Sequence, residues 1–179
     1  MNGFPRSPPS SELSTPATPT QPPIAAFNLG VLLEEFGDLP GARAAYQQAI
    51  ESAHPDQAPT AAYNLGILLE DLGDSAGARA AYHQAIDSGH EDVAPRAAVR
   101  LGVLLAGRGD TAGARTVYQQ AIDSGHPDDA SMAAYNLGVL LEDLGDFAGA
   151  RAAYLQAIDF GHSGATTMAA QEALRDLGL

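Results

Sequence analysis

The chain has 179 residues, enough for one domain or one short repeat array, and its apolar fraction of 45 % is that of a folded protein. A formal net charge of −13 and a sequence pI near 4.4 argue against binding to nucleic acid or to an anionic membrane surface, because the chain has no basic stripe to neutralise phosphates. Cysteine is absent, which excludes disulfides, thiolate metal sites and cysteine nucleophiles.

The N-terminal segment, residues 1–23, is rich in Pro, Ser and Thr and poor in apolar side chains. Such a segment buries too little apolar surface to offset the entropy lost on ordering, so we expect a disordered tail that serves as a linker; a ligand for a proline-reading module is the alternative. It has no apolar stretch of signal-peptide length, and the chain has no run of about 18 apolar residues that could span a bilayer. We therefore expect a cytoplasmic protein.

From residue 25 onwards the sequence repeats with a period of 36 residues and without insertions. Four units occupy residues 25–60, 61–96, 97–132 and 133–168, and a partial fifth unit, AAQEALRDLGL, occupies residues 169–179. Self-similarity at a fixed period of this length is typical of stacked repeat architectures. We therefore predict two regions, the tail at 1–23 and a repeat domain at 24–179.

Each unit is expected to form two helices, as the second unit illustrates. Leucines recur at helical spacing from about Thr60 to Leu72, and small and aromatic residues share one face from about Ala76 to Ser88. Gly73-Asp74 lies between them, where the glycine can adopt a left-handed conformation and the aspartate can cap the next helix. Neither helix can bury its apolar face alone, so neighbouring pairs must stack. The predicted fold is an all-α, right-handed α-solenoid of antiparallel helix pairs, with four repeats and a C-terminal capping helix.

The unit AAYNLGILLEDLGDSAGARAAYHQAI resembles a tetratricopeptide repeat. The period is two residues longer than the usual one, and a Gly-His-x-Asp ending, which is similar to that of Sel1-like repeats, replaces the usual loop proline. Both families have the same helix-pair fold, and the resemblance implies a protein that binds other proteins. The matching positions in the second unit are Leu65, Gly66, Ala78, Tyr82 and Ala85.

The same resemblance implies a binding surface on the first helix of each pair, which lines the inner face of the superhelix in this family. There, the Asn of Asn-Leu-Gly often holds the backbone of a bound peptide. The matching residues are Asn28, Asn64, Arg100 and Asn136. Further candidates on the same helices are Phe27, Tyr63, Val99, Tyr135, Val31, Ile67, Val103, Val139, Glu34, Glu35, Glu70, Asp71, Glu142 and Asp143. The alternative is that Asn is merely common at its position and that the acidic residues provide solubility.

The third unit departs from the others. Arg96 and Arg100 replace neutral residues, and Ala106-Gly107 replaces an acidic pair. A subset of tetratricopeptide domains clamps a partner's C-terminal carboxylate with basic and Asn side chains, and Arg96, Arg100 and Asn64 match part of that pattern. We hypothesise an acidic groove interrupted by one basic position, which would favour basic or mixed-charge peptides and bind them less tightly as salt rises.

Histidines also recur with the repeat, at His54, His90, His126 and His162. Equivalent positions in stacked helix pairs lie about 10 Å apart, whereas zinc ligands must all lie about 2 Å from one ion. We therefore predict no metal site. We expect instead that each ring packs over a helix end, where it can interact with the terminal carbonyls.

Two further patterns that contain arginine are explained by the period. An arginine recurs in the second helix, at Arg43, Arg79, Arg115 and Arg151. These side chains could bind a polyanion, but we expect each stem to pack between helices beside a carboxylate. Arg108-Gly109-Asp110 spells an integrin-type tripeptide, yet its Gly-Asp is the third copy of the predicted inter-helix turn, so we interpret the tripeptide as coincidence.

No catalytic motif is present. No Ser or Thr lies in a nucleophile motif beside a His–Asp pair, and no glycine-rich phosphate loop follows a strand pattern. We predict no enzymatic activity, no cofactor and no metal. The expected function is a protein-interaction scaffold that binds a peptide along its concave face. The alternatives are a self-assembling module and a regulatory domain that senses a peptide through a change in superhelical pitch.

Overall fold

The computed structural model describes residues 23–161 and 164–178, and every regular element within these ranges is an α-helix. The helix bounds are Pro23–Glu35 (α1), Leu39–Glu51 (α2), Gln57–Asp71 (α3), Ser75–Asp87 (α4), Val93–Gly107 (α5), Thr111–Asp123 (α6), Pro127–Asp143 (α7), Phe147–Phe160 (α8) and Ala165–Asp176 (α9). The predicted all-α solenoid of helix pairs is confirmed. The tail predicted for residues 1–23 lies outside the described residues, except for Pro23, which begins α1.

The turn inside every repeat has the predicted chemistry. Gly73 has a φ of +77°, and the Asp74 carboxylate accepts a hydrogen bond from the Gly77 amide at 2.9 Å. The equivalent pairs are Asp38–Gly41, Asp110–Gly113 and Asp146–Gly149. In the Arg108-Gly109-Asp110 tripeptide, the aspartate therefore caps α6, and Arg108 donates a hydrogen bond to the Ser75 hydroxyl. Both charged side chains of the tripeptide are thus used within the array.

A glycine of the first helix faces a buried tyrosine of the second helix in each repeat. A Cβ at Gly138 would lie 2.5 Å from Cε1 of Tyr154, and this tyrosine is 1 % exposed. Real Cβ atoms do not approach a ring so closely, so the glycine is what allows the two helices to meet. The other three pairs are Gly30–Tyr46, Gly66–Tyr82 and Gly102–Tyr118.

Successive repeats are closer together on one side of the array than on the other. The first helices of neighbouring repeats, such as α1 and α3, are in contact, whereas among the described elements the second helices, such as α2 and α4, are not. The array therefore bends towards its first helices, which line the inner, concave face. None of the helices in the described ranges combines the length and apolarity needed to cross a membrane.

His54 and His90 differ from expectation, because their rings lie at the start of the next helix and not at the carbonyl end of the preceding one. His54 Nδ1 accepts hydrogen bonds from the amides of Asp56 and Gln57, at 3.3 and 3.5 Å, at the start of the next helix. The carbonyl end of the preceding helix is served by a serine, since Ser52 donates to the Ala49 carbonyl at 2.5 Å. Because the imidazole caps the incoming turn, α3 begins at Gln57, three residues before the predicted start. No metal-binding group of three side chains occurs in residues 23–161 and 164–178, and His162 lies outside them.

The arginines of the second helices also differ from expectation. All four are exposed rather than packed between helices, and of these four only Arg115 has an ion pair with a described residue, at 3.9 Å from Asp146. Arg79 borders a cavity of about 310 Å³ together with Leu104 and Leu105, but its side chain stays exposed there.

Candidate peptide-binding face

Three equivalent junctions between the four repeats lie on the concave face, and we call the group of side chains at each junction a notch; cavities open at the first and third. Each combines a carboxylate or small residue and a tyrosine from the earlier repeat with an Asn or Arg from the later one. Notch 1 is lined by Val31, Glu34, Glu35, Tyr46, Asn64 and Ile67. Notch 2 contains Glu70, Tyr82 and Arg100. Notch 3 is lined by Val103, Ala106, Gly107, Tyr118, Asn136, Val139, Leu140 and Asp143.

A tyrosine–carboxylate hydrogen bond joins the two helices of the first, second and fourth repeats. The hydroxyl of Tyr82 donates to the Glu70 carboxylate at 2.5 Å, and that of Tyr154 donates to Glu142 at 2.8 Å. Burial and this hydrogen bond together raise the pKa of both tyrosines well above the usual range. Glu70 and Glu142, which are candidates for peptide contact, are therefore each held at one carboxylate oxygen by their own repeat.

Notch 2 is occupied by a side chain of the array itself. The Arg100 guanidinium lies 3.7 Å from the Glu70 carboxylate. Burial alone would lower the pKa of Arg100, but the interactions with the Tyr82 hydroxyl and with Glu70 outweigh it and raise the pKa. Arg100 is thus engaged within the array, whereas Arg96, one turn earlier, is exposed. The geometry does not present Arg100 as a free group that could clamp a partner's carboxylate.

Notch 1 has the same carboxylate–tyrosine pair but a shorter side chain opposite it. The Tyr46 hydroxyl donates a hydrogen bond to the Glu34 carboxylate at 2.6 Å. Burial and Glu34 raise the pKa of Tyr46, and the side chain of Asn64 offsets part of this rise. Asn64 leaves a cavity of about 320 Å³ beside this pair. This volume is near the lower end of ligand pockets, which span roughly 300–1,000 Å³.

Notch 3 lacks the carboxylate, because Ala106 stands where the other repeats have Glu. Burial alone raises the pKa of Tyr118 to about 12. The cavity beside it measures about 350 Å³ and is bordered by the half-buried Asn136. The three notches thus share one backbone arrangement and differ in the charge that they present.

The remaining candidates are divided between core and surface. The rings of Phe27, Tyr63 and Tyr135 are half-buried and pack at 6.2, 6.1 and 5.7 Å from those of Tyr46, Tyr82 and Tyr154, between ring centroids. Val99 is a core residue, 3 % exposed. Asn28 is exposed on α1.

Sequence reasoning did not place the buried tyrosines in the candidate site. Glu70 and Tyr82 are twelve residues apart on different helices, so helical periodicity within either helix does not connect them. The signal that could have found them is the recurrence of this spacing in the first, second and fourth units and its loss in the third.

The comparisons with known proteins agree with this architecture. The tetratricopeptide repeat profile matches residues 21–62, 63–129 and 105–165. Among solved structures, MamA matches with a TM-score of 0.61 and 21 % identity, covering 77 % of this chain and 72 % of that one. A tetratricopeptide repeat protein from Parabacteroides merdae ATCC 43184 matches with a TM-score of 0.68 and 18 % identity, covering 87 % and 59 %. Pseudomonas aeruginosa pilF matches with a TM-score of 0.64 and 17 % identity, covering 86 % and 69 %.

At these identities the structural similarity establishes the fold alone, and no curated protein gives a significant sequence match. The Sel1-like character stays a prediction. The repeat profile, in contrast, covers most of the chain, and the residues that it matches build all four helix pairs. Tetratricopeptide proteins generally mediate protein–protein interactions and are typically non-catalytic scaffolds. The chain belongs to the tetratricopeptide repeat family.

Proposed function

We propose that the protein is an interaction scaffold that binds a peptide segment of a partner protein along its concave face. The observation that carries the proposal is the row of notches, in which a polar side chain of one repeat borders a cavity beside the tyrosine of the previous repeat. Asn64 and Asn136 border the cavities of notches 1 and 3. An amide both donates and accepts hydrogen bonds, so these side chains can pair with the backbone of a peptide of any sequence.

Charge selects among such peptides. The chain carries a net charge of −13, and the acidic side chains Glu35 and Asp143 line notches 1 and 3. Peptides with a basic or mixed charge are therefore favoured over acidic ones, and their association is steered by a field that salt screens. Affinity for a selected peptide falls as sodium chloride is raised towards physiological ionic strength. An affinity that is independent of salt would contradict this part of the proposal.

The proposal is tested by selecting peptides from a displayed random library on the full chain and measuring their affinities by fluorescence anisotropy. A variant with Asn28→Ala, Asn64→Ala and Asn136→Ala should bind the selected peptides about tenfold or more weakly, the effect of losing at least one good hydrogen bond. The matched control carries Arg43→Ala and Arg79→Ala, which change exposed side chains of the second helices. If the control weakens binding as much as the asparagine variant, or neither weakens it, the concave face is not the binding surface.

Self-association is a second candidate function, favoured by apolar side chains along one edge of the array. Phe36 and Phe147, at the inter-helix turns of the first and fourth repeats, are 80 % and 58 % exposed. Multi-angle light scattering against concentration tests this function, with Phe36→Ser and Phe147→Ser as the variant that should remain monomeric. A chain that is monomeric at all concentrations would rule the function out.

A further inference from the structure

Notch 2, which is occupied by the side chain of Arg100, shows what kind of group an equivalent notch can bind. In notch 2 the guanidinium of Arg100 lies 3.7 Å from the Glu70 carboxylate, which at the same time accepts a hydrogen bond from Tyr82. The Arg100 side chain is half-buried there, at 42 % exposure, and Glu70 is at 24 %. A carboxylate held by a buried hydroxyl is thus a preformed acceptor for a planar cation, because its position is set before the cation arrives.

Notch 1 presents the same acceptor without a cation. Glu34 accepts a hydrogen bond from Tyr46 just as Glu70 does from Tyr82. Asn64 occupies the position equivalent to Arg100, and its side chain is shorter by the length of a guanidinium group. The cavity of about 320 Å³ lies where that group would be, and the described residues that line it include two carboxylates, Glu34 and Glu35, and no basic side chain.

We propose that notch 1 is a binding site for an arginine side chain of the peptide partner. The inference rests on the proposed function and adds to it the identity and place of one anchoring residue. The arginine lies between the Glu34 carboxylate and the Asn64 amide, with its aliphatic stem against Val31 and Ile67. Its delocalised, weakly hydrated guanidinium fits a partly buried carboxylate better than the strongly hydrated ammonium of lysine does.

Notch 3 serves as an internal contrast. Its tyrosine has no carboxylate partner in the described part of the chain because Ala106 replaces Glu, so it lacks the preformed acceptor. Arginine therefore selects notch 1 over notch 3, although the two cavities have similar volumes of about 320 and 350 Å³. This difference fixes the register of a bound peptide, because a peptide whose arginine enters notch 1 can lie along the concave face in one position only.

The experiment titrates N-acetylarginine amide into the full, isotopically labelled chain and records heteronuclear NMR spectra. N-acetylcitrulline amide, which has the same shape without the charge, is the matched control probe. The arginine probe should cause saturable shifts at the amides of Val31, Glu34 and Asn64, and the citrulline probe should not. The variant Asn64→Arg supplies notch 1 with an internal guanidinium in the arrangement of notch 2, so it should fold as the wild type and lose these shifts.

A second variant tests the inference by gain of binding. Arg100→Asn gives notch 2 the composition of notch 1, and the arginine probe should then cause an additional set of saturable shifts near Glu70. Shifts that persist in Asn64→Arg, that are equal for both probes, or that spread over exposed acidic residues without saturation would overturn the proposal. Circular dichroism of both variants verifies that they remain folded.

The two levels of the proposal fail in distinguishable ways. In one outcome, library-selected peptides bind the asparagine variant less tightly than the wild type but bind Asn64→Arg and the wild type equally well. That result would support the concave face as the binding surface and contradict the arginine site. If the arginine probe saturates notch 1 while no peptide is selected on the face, the arginine site stands and the peptide scaffold is wrong. For a peptide that binds along the concave face and places an arginine in notch 1, replacement of this arginine by citrulline should weaken binding by about tenfold or more, as expected for the loss of a charge-assisted hydrogen bond.

Discussion

The interior of each repeat and the junctions between repeats follow different rules. In the interior, a glycine of the first helix faces a buried tyrosine of the second helix in all four repeats. At the junctions, the position opposite that tyrosine is Asn64, Arg100 or Asn136, and the carboxylate beside it is absent where Ala106 stands. The glycine and tyrosine of the interior are thus the same in all four repeats because they set how closely the helices pack, whereas the junctions vary in charge on a constant backbone. The proposed binding specificity therefore belongs to the junctions.

The largest expected effect tests whether the four interiors behave alike. Tyr46, Tyr82, Tyr118 and Tyr154 are each at most 2 % exposed, and burial raises the pKa of each above the ordinary value near 10. Above that pH the unfolded chain loses these protons while the folded chain keeps them, so the free energy of unfolding falls as pH rises. Each tyrosine contributes about 1.4 kcal/mol per pH unit to that fall, and four contribute roughly 5 kcal/mol per unit.

We therefore expect the chain to unfold between pH 10 and pH 12, since a whole domain is stable by only about 5–15 kcal/mol. Tyrosinate absorbance and far-ultraviolet circular dichroism should change in one transition. A tyrosinate transition centred near pH 10 with the helices intact would show that the rings are accessible in the folded state. In the variant Tyr118→Phe, the free energy of unfolding should fall about a quarter less steeply with pH.

The next effect separates interior from surface within one helix. Gly102 faces the ring of Tyr118, so the Cβ added by Gly102→Ala must displace a buried side chain, and we expect a loss of about 2–3 kcal/mol in the free energy of unfolding. Gly107 is the last residue of the same helix, and a Cβ there meets nothing within 4 Å. Gly107→Ala should therefore leave stability unchanged or raise it by up to about 1 kcal/mol. Urea denaturation followed by circular dichroism measures both.

Gly66→Ala, in the second repeat, serves as the replicate. If the interiors are equivalent, it should cost as much as Gly102→Ala within about 0.5 kcal/mol, because the two changes are distant and alike. Equal costs for Gly102→Ala and Gly107→Ala would show that the Gly–Tyr contact does not limit helix packing.

A smaller effect is expected from the hydrogen bond between the buried tyrosine and a carboxylate, which one repeat has and another lacks. Tyr154→Phe removes the hydrogen bond to the half-buried Glu142 carboxylate, and we expect a loss of about 1–2 kcal/mol. Tyr118→Phe removes a hydroxyl that has no carboxylate partner among the described residues, so the change should lie within about 0.5 kcal/mol of zero. Chemical denaturation of the two variants in parallel measures the difference, which should vanish if the hydroxyls act only through burial.

The sequence predicts the interior well and the junctions poorly, for physical reasons that these residues illustrate. The turn at Gly73-Asp74 is local, since the φ of +77° and the cap on Gly77 involve residues within four positions, and both were predicted. The 36-residue period likewise identifies Asn64 and Arg100 as equivalent. The partners of Arg100, however, come from the previous repeat, and the distance between stacked repeats cannot be derived from periodicity within one unit.

Helix starts show the same limit. The predicted start near Thr60 rests on the apolar pattern alone, whereas α3 starts at Gln57 because His54 caps it. The fourth repeat departs further, since α7 starts at Pro127, with Asp128 and Asp129 in its first turn. A proline needs no amide donor at the first position of a helix, and an exposed acidic residue such as Asp128 is favourable in the first turn. The extension therefore has a local cause that the other repeats do not share.

The smallest expected effect would turn the third junction into a copy of the first. Ala106→Glu restores the carboxylate opposite Tyr118, and the new hydrogen bond should exceed the lower helix propensity and lost side-chain entropy by only about 0.5 kcal/mol. The clearer readout is titration, because a carboxylate accepting from Tyr118 should raise its pKa above about 12, as Glu142 does for Tyr154. The change should also give notch 3 the preformed acceptor of notch 1, so that the arginine probe binds at Asn136 as well as at Asn64. A variant with the raised tyrosine pKa but no second arginine site would show that the carboxylate stabilises the repeat without selecting the ligand, which would separate the two roles that notch 1 combines.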